Sequence, residues 1–141
     1  MPVNILFITW DGPQTSYMEG LFLPIFHQIQ KENKYCFHVI QFTWGTNDRI
    51  AITQKKANEL GIKYTYKKIH RKPYALLGSL FTILGGTSII REYINTYKID
   101  IVMPRSTMPS IMVNRLSDID CKILLNSVLQ RKMNDSYLLN D

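Results

Sequence analysis

The stretch ILFITW, Ile5–Trp10, decides the fold, and the turn Asp11-Gly12-Pro13 follows it at once. Short apolar runs that end at turn residues are typical of strands buried on both faces of a parallel sheet. Beyond the turn, apolar side chains recur at helical spacing over Leu21–Ile29, which predicts a helix that crosses back over the sheet. Pro24 lies inside that pattern and is expected to kink or split the helix.

The same alternation of strand and helix continues along the chain. Strands are predicted near residues 4–10, 36–43, 62–68, 100–104 and 122–126. Helices are predicted at Arg49–Leu60, closed by Gly61, and at Tyr74–Lys98, where Gly85-Gly86 should bend or divide the helix. A further helix, capped by Ser106 or Thr107, is predicted to run to about Leu116. This order predicts an α/β fold, a Rossmann-like parallel sheet of about five strands in the order 3-2-1-4-5 with helices on both faces.

Length and composition predict one globular domain, residues 1–127, followed by an irregular C-terminal tail, residues 128–141. Of the 141 residues, 45% are hydrophobic and 20% charged, which excludes a wholly disordered chain. The N-terminus lacks the basic region and the long apolar core of a secretory signal, so a cytoplasmic location is expected. Cys36 and Cys121 lie in apolar segments and are predicted to be reduced core thiols.

One segment accounts for the net charge of +6, since the remaining cations and acids nearly balance. Its cations, with no acid among them, are Lys63, Lys67, Lys68, Arg71 and Lys72. The next stretch, Pro73–Ile90, carries no charge, but its glycine and hydroxyl residues favour a buried or interfacial helix over a membrane span. Together they predict peripheral contact with an anionic membrane surface on the inner face of the membrane, and a solvated strand end is the alternative.

Several kinds of chemistry lack the motifs that they need. The first loop, Asp11–Ser16, carries one glycine where a dinucleotide site needs G-x-G-x-x-G, and the chain has no G-x-x-x-x-G-K-[ST] phosphate loop. His27, His38 and His70 do not pair with cysteines or acids at metal-ligand spacing. We therefore predict no catalytic residue, metal site or cofactor within this chain, and no nucleic-acid partner.

Two polar loops remain as a candidate site. Asp11–Ser16 follows the first strand and Pro104–Thr107 the fourth, and these strands flank the point where strand order reverses and parallel sheets bind ligands. The forked cation of Arg105 suits a phosphate or carboxylate, so the loops could form an anion or sugar-hydroxyl site. In the alternative interpretation, Ser16 (in an S-x-x-E capping box) and Ser106 only cap helices, and Arg105 pairs with Asp11 or Glu19.

Four stretches of the sequence resemble the N-terminal domain of family 4 glycosyltransferases, retaining enzymes built from two facing Rossmann-like domains in the GT-B architecture. The stretches are Ile5–Trp10, Ser16–Pro24, His38–Ile40 and Asp100–Pro109. The last of these looks like the family's D-[IV]-V-H-x-R-S-x-x-P strand and loop. The likeness covers roughly residues 4 to 127 and implies that the chain is one half of a GT-B enzyme.

The resemblance also implies a function. In this family the N-terminal half binds the acceptor and the C-terminal half binds the nucleotide-sugar donor. The chain would then be the acceptor-binding half of an enzyme that moves a sugar to a glycan or lipid-linked acceptor in polysaccharide or cell-envelope biosynthesis. The residues that would face acceptor and cleft are Asp11, Gly12, Gln14, Thr15, Ser16, Tyr17, Arg105, Ser106 and Thr107.

Two departures from the family pattern limit this interpretation. Met103 stands where the family often has a histidine, and from Leu125 onward the sequence no longer follows the family. The donor-binding half is missing from these residues, so we expect a truncated chain without transferase activity of its own. A non-catalytic Rossmann-like binding or interaction module is the alternative function.

Overall fold

The computed structural model describes residues 2–12, 18–69, 75–116 and 121–123. Its strands are β1 Val3–Asp11, β2 Tyr35–Thr43, β3 Lys63–Lys68, β4 Ile101–Pro104 and β5 Lys122–Ile123. Its helices are α1 Leu23–Gln30, which directly follows a π-helical turn, Met18–Phe22, then α2 Asn47–Glu59, α3 Ala75–Tyr97 and α4 Thr107–Asn114. The rest of the predicted fifth strand, residues 124–126, and the tail 128–141 lie outside the described residues.

All neighbouring strands pair in parallel, in the order β3-β2-β1-β4-β5, which confirms the predicted topology. Each pair of successive parallel strands needs a crossover connection, and the helical segments between the strands supply it. Because such crossovers are right-handed, the reversal of direction after β3 moves the helices from one face of the sheet to the other. The sheet is therefore covered by α1 and α2 on one face and by α3 and α4 on the other.

Alternation along β1 builds a core on each face. Ile5 and Phe7 pack with residues of α1 and α2, whereas Leu6 and Ile8 pack with residues of α3 and α4. All four side chains are buried, as the apolar run in the sequence predicts. The same face as Ile5 and Phe7 becomes polar toward the carboxyl end of the strand, where Thr9 and Asp11 follow at the next alternate positions.

The helix ends follow local rules. The Thr46 hydroxyl accepts a hydrogen bond from the backbone N–H of Arg49 at 3.3 Å and caps α2. Gly61 has a φ of 69°, the left-handed conformation that the prediction required of it at the end of α2. Pro24 lies in the first turn of α1, directly after the π-helical turn Met18–Phe22, and the helical segment changes there from π to α geometry.

The glycines Gly85-Gly86 do not divide the helix, as the prediction allowed, because α3 runs without interruption from Ala75 to Tyr97. A Cβ atom on Gly86 would lie 2.8 Å from the Phe42 ring and 3.1 Å from the Met112 sulfur. Gly86 therefore lets the helix approach the sheet closely, and the gain in packing outweighs the low helix propensity of glycine.

A buried histidine lies between β2 and α3. The Nδ1 atom of His38 is 3.0 Å from the Tyr93 hydroxyl, and its Nε2 atom is 3.8 Å from the sulfur of Cys36. Burial, and secondarily the charge of Lys63, lowers the pKa of His38 to about 4. Cys36 and Cys121 form no disulfide bond, and both are half-buried rather than in the core as predicted.

We expect the His38 imidazole to stay neutral in the folded protein until the pH falls to about 4. Its folded pKa lies below the usual value of 6.5, so the unfolded chain takes up the proton first. The stability that neutral His38 contributes is therefore complete above pH 6.5 and is lost as the pH falls toward 4. An NMR titration of the ring protons checks this, and a midpoint near 6.5 for His38 would contradict it.

Candidate site at the carboxyl edge of the sheet

An ion pair joins the ends of β1 and β4. Arg105 Nη1 lies 3.5 Å from Asp11 Oδ1, and the Arg105 backbone N–H donates to the carbonyl of Ile8 at 2.8 Å. The Asp11 side chain is 5% exposed and that of Arg105 is 30% exposed. The two loops predicted to meet therefore do so through these residues, and Asp11 is one of the two partners that the alternative interpretation named for Arg105.

A chain of hydrogen bonds continues from Asp11 across the sheet. Gln41 Nε2 on β2 donates to Asp11 Oδ2 at 2.8 Å, and Tyr64 on β3 donates its hydroxyl proton to Gln41 Oε1. The carboxylate only accepts, so it fixes the orientation of the amide, and the amide oxygen then requires a protonated Tyr64. Burial, helped by the negative charges of Glu19 and Asp11, raises the pKa of Tyr64 and keeps that proton in place.

The π-helical turn Met18–Phe22 carries a second ion pair. Glu19 Oε2 is 3.0 Å from Arg49 Nη2 on α2, and the Thr53 hydroxyl donates to Glu19 Oε1. Through these contacts the Glu19 carboxylate joins its own turn to α2, and the capping box predicted for Ser16 and Glu19 stays a prediction. Ser16, the other member of that box, lies outside the described residues.

Both ion pairs place the acid inward and the guanidinium outward. The Glu19 side chain is 14% exposed and that of Arg49 is 32% exposed, which repeats the contrast between Asp11 and Arg105. The Arg105 guanidinium also lies 4.8 Å from the centre of the Phe22 ring, a cation–π contact that holds it against the π-helical turn. A ligand that approaches these two pairs meets positive charge first.

The turn after Arg105 holds an unusual backbone conformation. Ser106 has a φ of 75° and a ψ of 179°, a region that residues other than glycine rarely occupy. The predicted cap is wrong: Ser106 stands at the N-cap position of α4, but its side chain makes no capping hydrogen bond. An N-cap side chain accepts a hydrogen bond from a backbone N–H of the first turn when its own backbone is in the β region, and Ser106, with its positive φ, is not in that region. Its carbonyl instead accepts from the backbone N–H and the hydroxyl of Ser110, at 3.3 and 2.7 Å.

Replacing Ser106 by glycine should stabilise the protein by about 1 kcal/mol, because glycine adopts this conformation without the steric cost. Ser88→Gly is the matched control: Ser88 is an exposed serine inside α3, where glycine should cost about 0.5 kcal/mol. Urea unfolding of the two variants measures both effects. If Ser106→Gly loses as much stability as Ser88→Gly, the backbone at Ser106 is not strained.

The structure places the remaining predicted site residues as follows. Gly12 is half-buried against the Trp44 indole, since a Cβ atom there would lie 2.9 Å from that ring, and Ser106 and Thr107 are exposed at the start of α4. Gln14, Thr15, Ser16 and Tyr17 lie outside the described residues.

Sequence reasoning missed Gln41, Tyr64 and Phe22. Gln41 was the available signal, since this polar residue stands between Ile40 and Phe42 in a predicted buried strand, and it is 6% exposed in the structure. Thr9 is fully buried, and in the described part of the chain its hydroxyl has no hydrogen-bond partner. Among the described residues, no three His, Cys, Asp or Glu side chains converge as a metal site would require.

The basic segment is only partly described. Lys63, Lys67 and Lys68 are exposed on β3, whereas Arg71 and Lys72 lie outside the described residues. Lys63 lies 5.3 Å from the centre of the Tyr97 ring, and Lys68 donates to the side chain of Asn47. Over the part of the chain that the structure covers, no helix is long and apolar enough to cross a membrane.

Comparison with known proteins identifies a structural neighbour of the chain. No protein-family model matches the sequence, and no curated protein matches it. A solved glycosyltransferase from Rickettsia africae ESF-5 has a similar structure, with a TM-score of 0.58 and 19% sequence identity over 86% of this chain. The chain has the fold of a glycosyltransferase domain.

That match covers 28% of the length of the Rickettsia enzyme, so the chain corresponds to a minor part of such a protein. The glycosyltransferase-like fold agrees with the predicted Rossmann-like half, with the carboxyl ends of β1 and β4 at the point where strand order reverses. In folds of this kind the crevice beside that point receives ligands. The Asp11–Arg105 pair lies at this position.

Proposed function

We propose that this chain is the acceptor-binding half of a sugar transferase, with the acceptor held at the Asp11–Arg105 pair. The observation that carries the proposal is the position of that pair at the reversal point of a glycosyltransferase-like fold. Catalysis would require a donor-binding half that the sequence resemblance places in a second domain. Retaining transfer, the polysaccharide or cell-envelope substrate, and the family 4 assignment all belong to this proposal.

The chemistry of the pair suits hydroxyl and anionic groups of an acceptor. The outward guanidinium of Arg105 can donate hydrogen bonds to sugar hydroxyls or phosphate oxygens from its fixed fork of N–H groups. The buried carboxylate of Asp11 can accept a hydrogen bond from a hydroxyl. The strained turn at Ser106 is consistent with a site, because strained backbone clusters where function needs one geometry. The unsatisfied Thr9 hydroxyl lies two residues before Asp11 on the same face of β1.

Titration of acceptor-type glycosides and nucleotide-sugars into the labelled chain tests the proposal. A glycoside that binds should shift the backbone amide signals of Gly12, Arg105 and Ser106, and nucleotide-sugars, whose binding site the resemblance places in the donor-binding half, should bind more weakly and shift them less. Arg105→Lys keeps the charge beside Asp11 but loses the fork, and should weaken glycoside binding about tenfold. Arg115→Lys is the control, since Arg115 is exposed at the opposite end of α4.

Two outcomes would overturn the acceptor role. If no glycoside in a broad panel moves these amide signals, the chain is better described as a non-catalytic interaction module. If the Arg105→Lys and Arg115→Lys variants have the same affinity for the glycoside that the wild-type chain binds, the Arg105 fork takes no part in recognition.

We also propose peripheral contact with an anionic membrane through the basic segment. Lys63 and Lys67 lie on the same face of β3, the face of the sheet that α3 covers. On α3 itself, Leu80 and Leu84 are 50% and 45% exposed. Each cation near such a surface contributes about 1 kcal/mol, and salt should weaken the interaction. Cosedimentation with vesicles of anionic lipid should therefore decrease with added salt and with Lys63→Glu and Lys67→Glu. Binding unaffected by both changes would contradict the contact.

A further inference from the structure

An apolar groove runs along the face of the sheet that carries α1. Its volume is about 450 Å³, its floor is Ile5 and Phe7 of β1, and its walls are Ile25 and Phe22 on the helical side and Met103 on β4. Such volumes are typical of small-molecule sites lined mainly by hydrophobic side chains. Ile25 remains 44% exposed, although it lies in a wall of apolar residues.

The groove is continuous with the candidate site. Because α1 runs antiparallel to β1, Phe22 lies at the carboxyl edge of the sheet, and Ile29, another lining residue, lies about 10 Å further down the helix. Phe22 lines the groove, and its ring also contacts the Arg105 guanidinium. The end of a molecule in the groove that lies beside Phe22 would therefore reach Arg105.

The charges at that end favour an anion. Asp11 and Glu19 are turned inward, and the more exposed members of both pairs are Arg105 and Arg49. The Arg105 fork matches phosphate oxygens, and the groove below it offers no charged side chain among its described lining residues.

We propose that the groove and Arg105 together bind an amphiphile with a phosphate head and a hydrocarbon chain. The chain would lie along α1, between Ile25 and Met103, and the phosphate would meet the Arg105 guanidinium. This inference rests on the proposed function only where it makes the amphiphile a lipid-linked acceptor, since the binding itself requires no transfer reaction.

The test uses three soluble probes and the full chain with labelled methyl groups. Decyl phosphate below its micelle concentration should bind and shift the methyl signals of Ile25, Ile29 and Met103. Decyltrimethylammonium, which has the same chain and the opposite charge, should bind about tenfold more weakly. Inorganic phosphate should leave the methyl signals unchanged. Equal binding of both amphiphiles, or phosphate alone producing the shifts, would overturn the proposal.

Substitutions at Ile25 separate the groove from surface charge. Both Ile25→Asp and Ile25→Lys should weaken decyl phosphate about tenfold, because each places a charge where the hydrocarbon lies. Ile52→Asp is the matched control, since Ile52 is a 55% exposed isoleucine on α2 that does not line the groove, and it should leave binding unchanged. If Ile25→Lys tightens binding, the interaction is with surface charge and the groove has no part in it. Circular dichroism confirms that each variant is folded.

Other occupants would be recognised in the same samples. Nuclear Overhauser contacts between the methyl groups of Ile25 and of residues 124–141 in the free protein would assign the groove to that segment of the chain. A dimer in sedimentation that Ile25→Asp abolishes would assign it to a second copy. Either result overturns the amphiphile site. If decyl phosphate fails to bind but glycosides still shift Gly12 and Arg105, this inference fails and the proposed acceptor role stands.

Discussion

Gly86→Ala should destabilise the protein by about 3 kcal/mol, whereas Gly85→Ala, one residue earlier in α3, should stabilise it by about 0.5 kcal/mol. The added Cβ on Gly86 would lie 2.8 Å from the Phe42 ring, and Phe42 is fully buried. The ring belongs to a central strand and cannot move aside without shifting its neighbours. Nothing lies within 4 Å of a Cβ on Gly85, so there the better helix propensity of alanine is the main effect.

Chemical unfolding of both variants measures this contrast, since the two differ only in which side of the helix receives the methyl group. Phe42→Leu in the Gly86→Ala background supplies a further check, because a smaller side chain at position 42 should recover part of the lost stability. Equal effects of the two alanine variants would mean that α3 does not approach β2 as closely as the structure has it.

The order of strands could be predicted from the sequence, but the contacts of particular residues could not. Short apolar runs that are separated by helical segments indicate parallel strands, because a helix between two strands serves as a crossover connection. Ile5–Trp10 and the apolar runs after it therefore predicted the sheet. The prediction at Gly85-Gly86 used helix propensity, a local quantity. Propensity differences of about 1 kcal/mol per residue are smaller than the packing that Gly86 permits against Phe42.

The candidate site shows the same division. Asp11 and Arg105 could be predicted to meet because each follows a strand, and the carboxyl ends of adjacent parallel strands share one edge. Gln41 and Tyr64 lie within strands, and their contribution depends on which alternate face each occupies beside Asp11. The backbone conformation of Ser106 has no signature in residue type, since serine is an ordinary N-cap residue.

Arg105→Ala should destabilise the protein by about 2 kcal/mol at neutral pH, and most of that loss should disappear when Asp11→Asn is added. The reason is the unequal burial of the pair. Removing Arg105 leaves the Asp11 carboxylate, 5% exposed, without this cationic partner, while the hydrogen bond from Gln41 remains. Breaking a fully buried pair costs more, but the guanidinium is 30% exposed, which reduces its contribution.

The double-mutant cycle isolates this interaction. Asp11→Asn keeps the shape of the side chain and an oxygen that can accept from Gln41, so it should cost about 1 kcal/mol or less by itself. With the charge gone, the additional loss on Arg105→Ala should fall below about 1 kcal/mol. Unfolding free energies of the four proteins give the coupling directly. If the two losses simply add, Arg105 does not compensate the buried charge of Asp11, and its place over Phe22 serves a ligand instead.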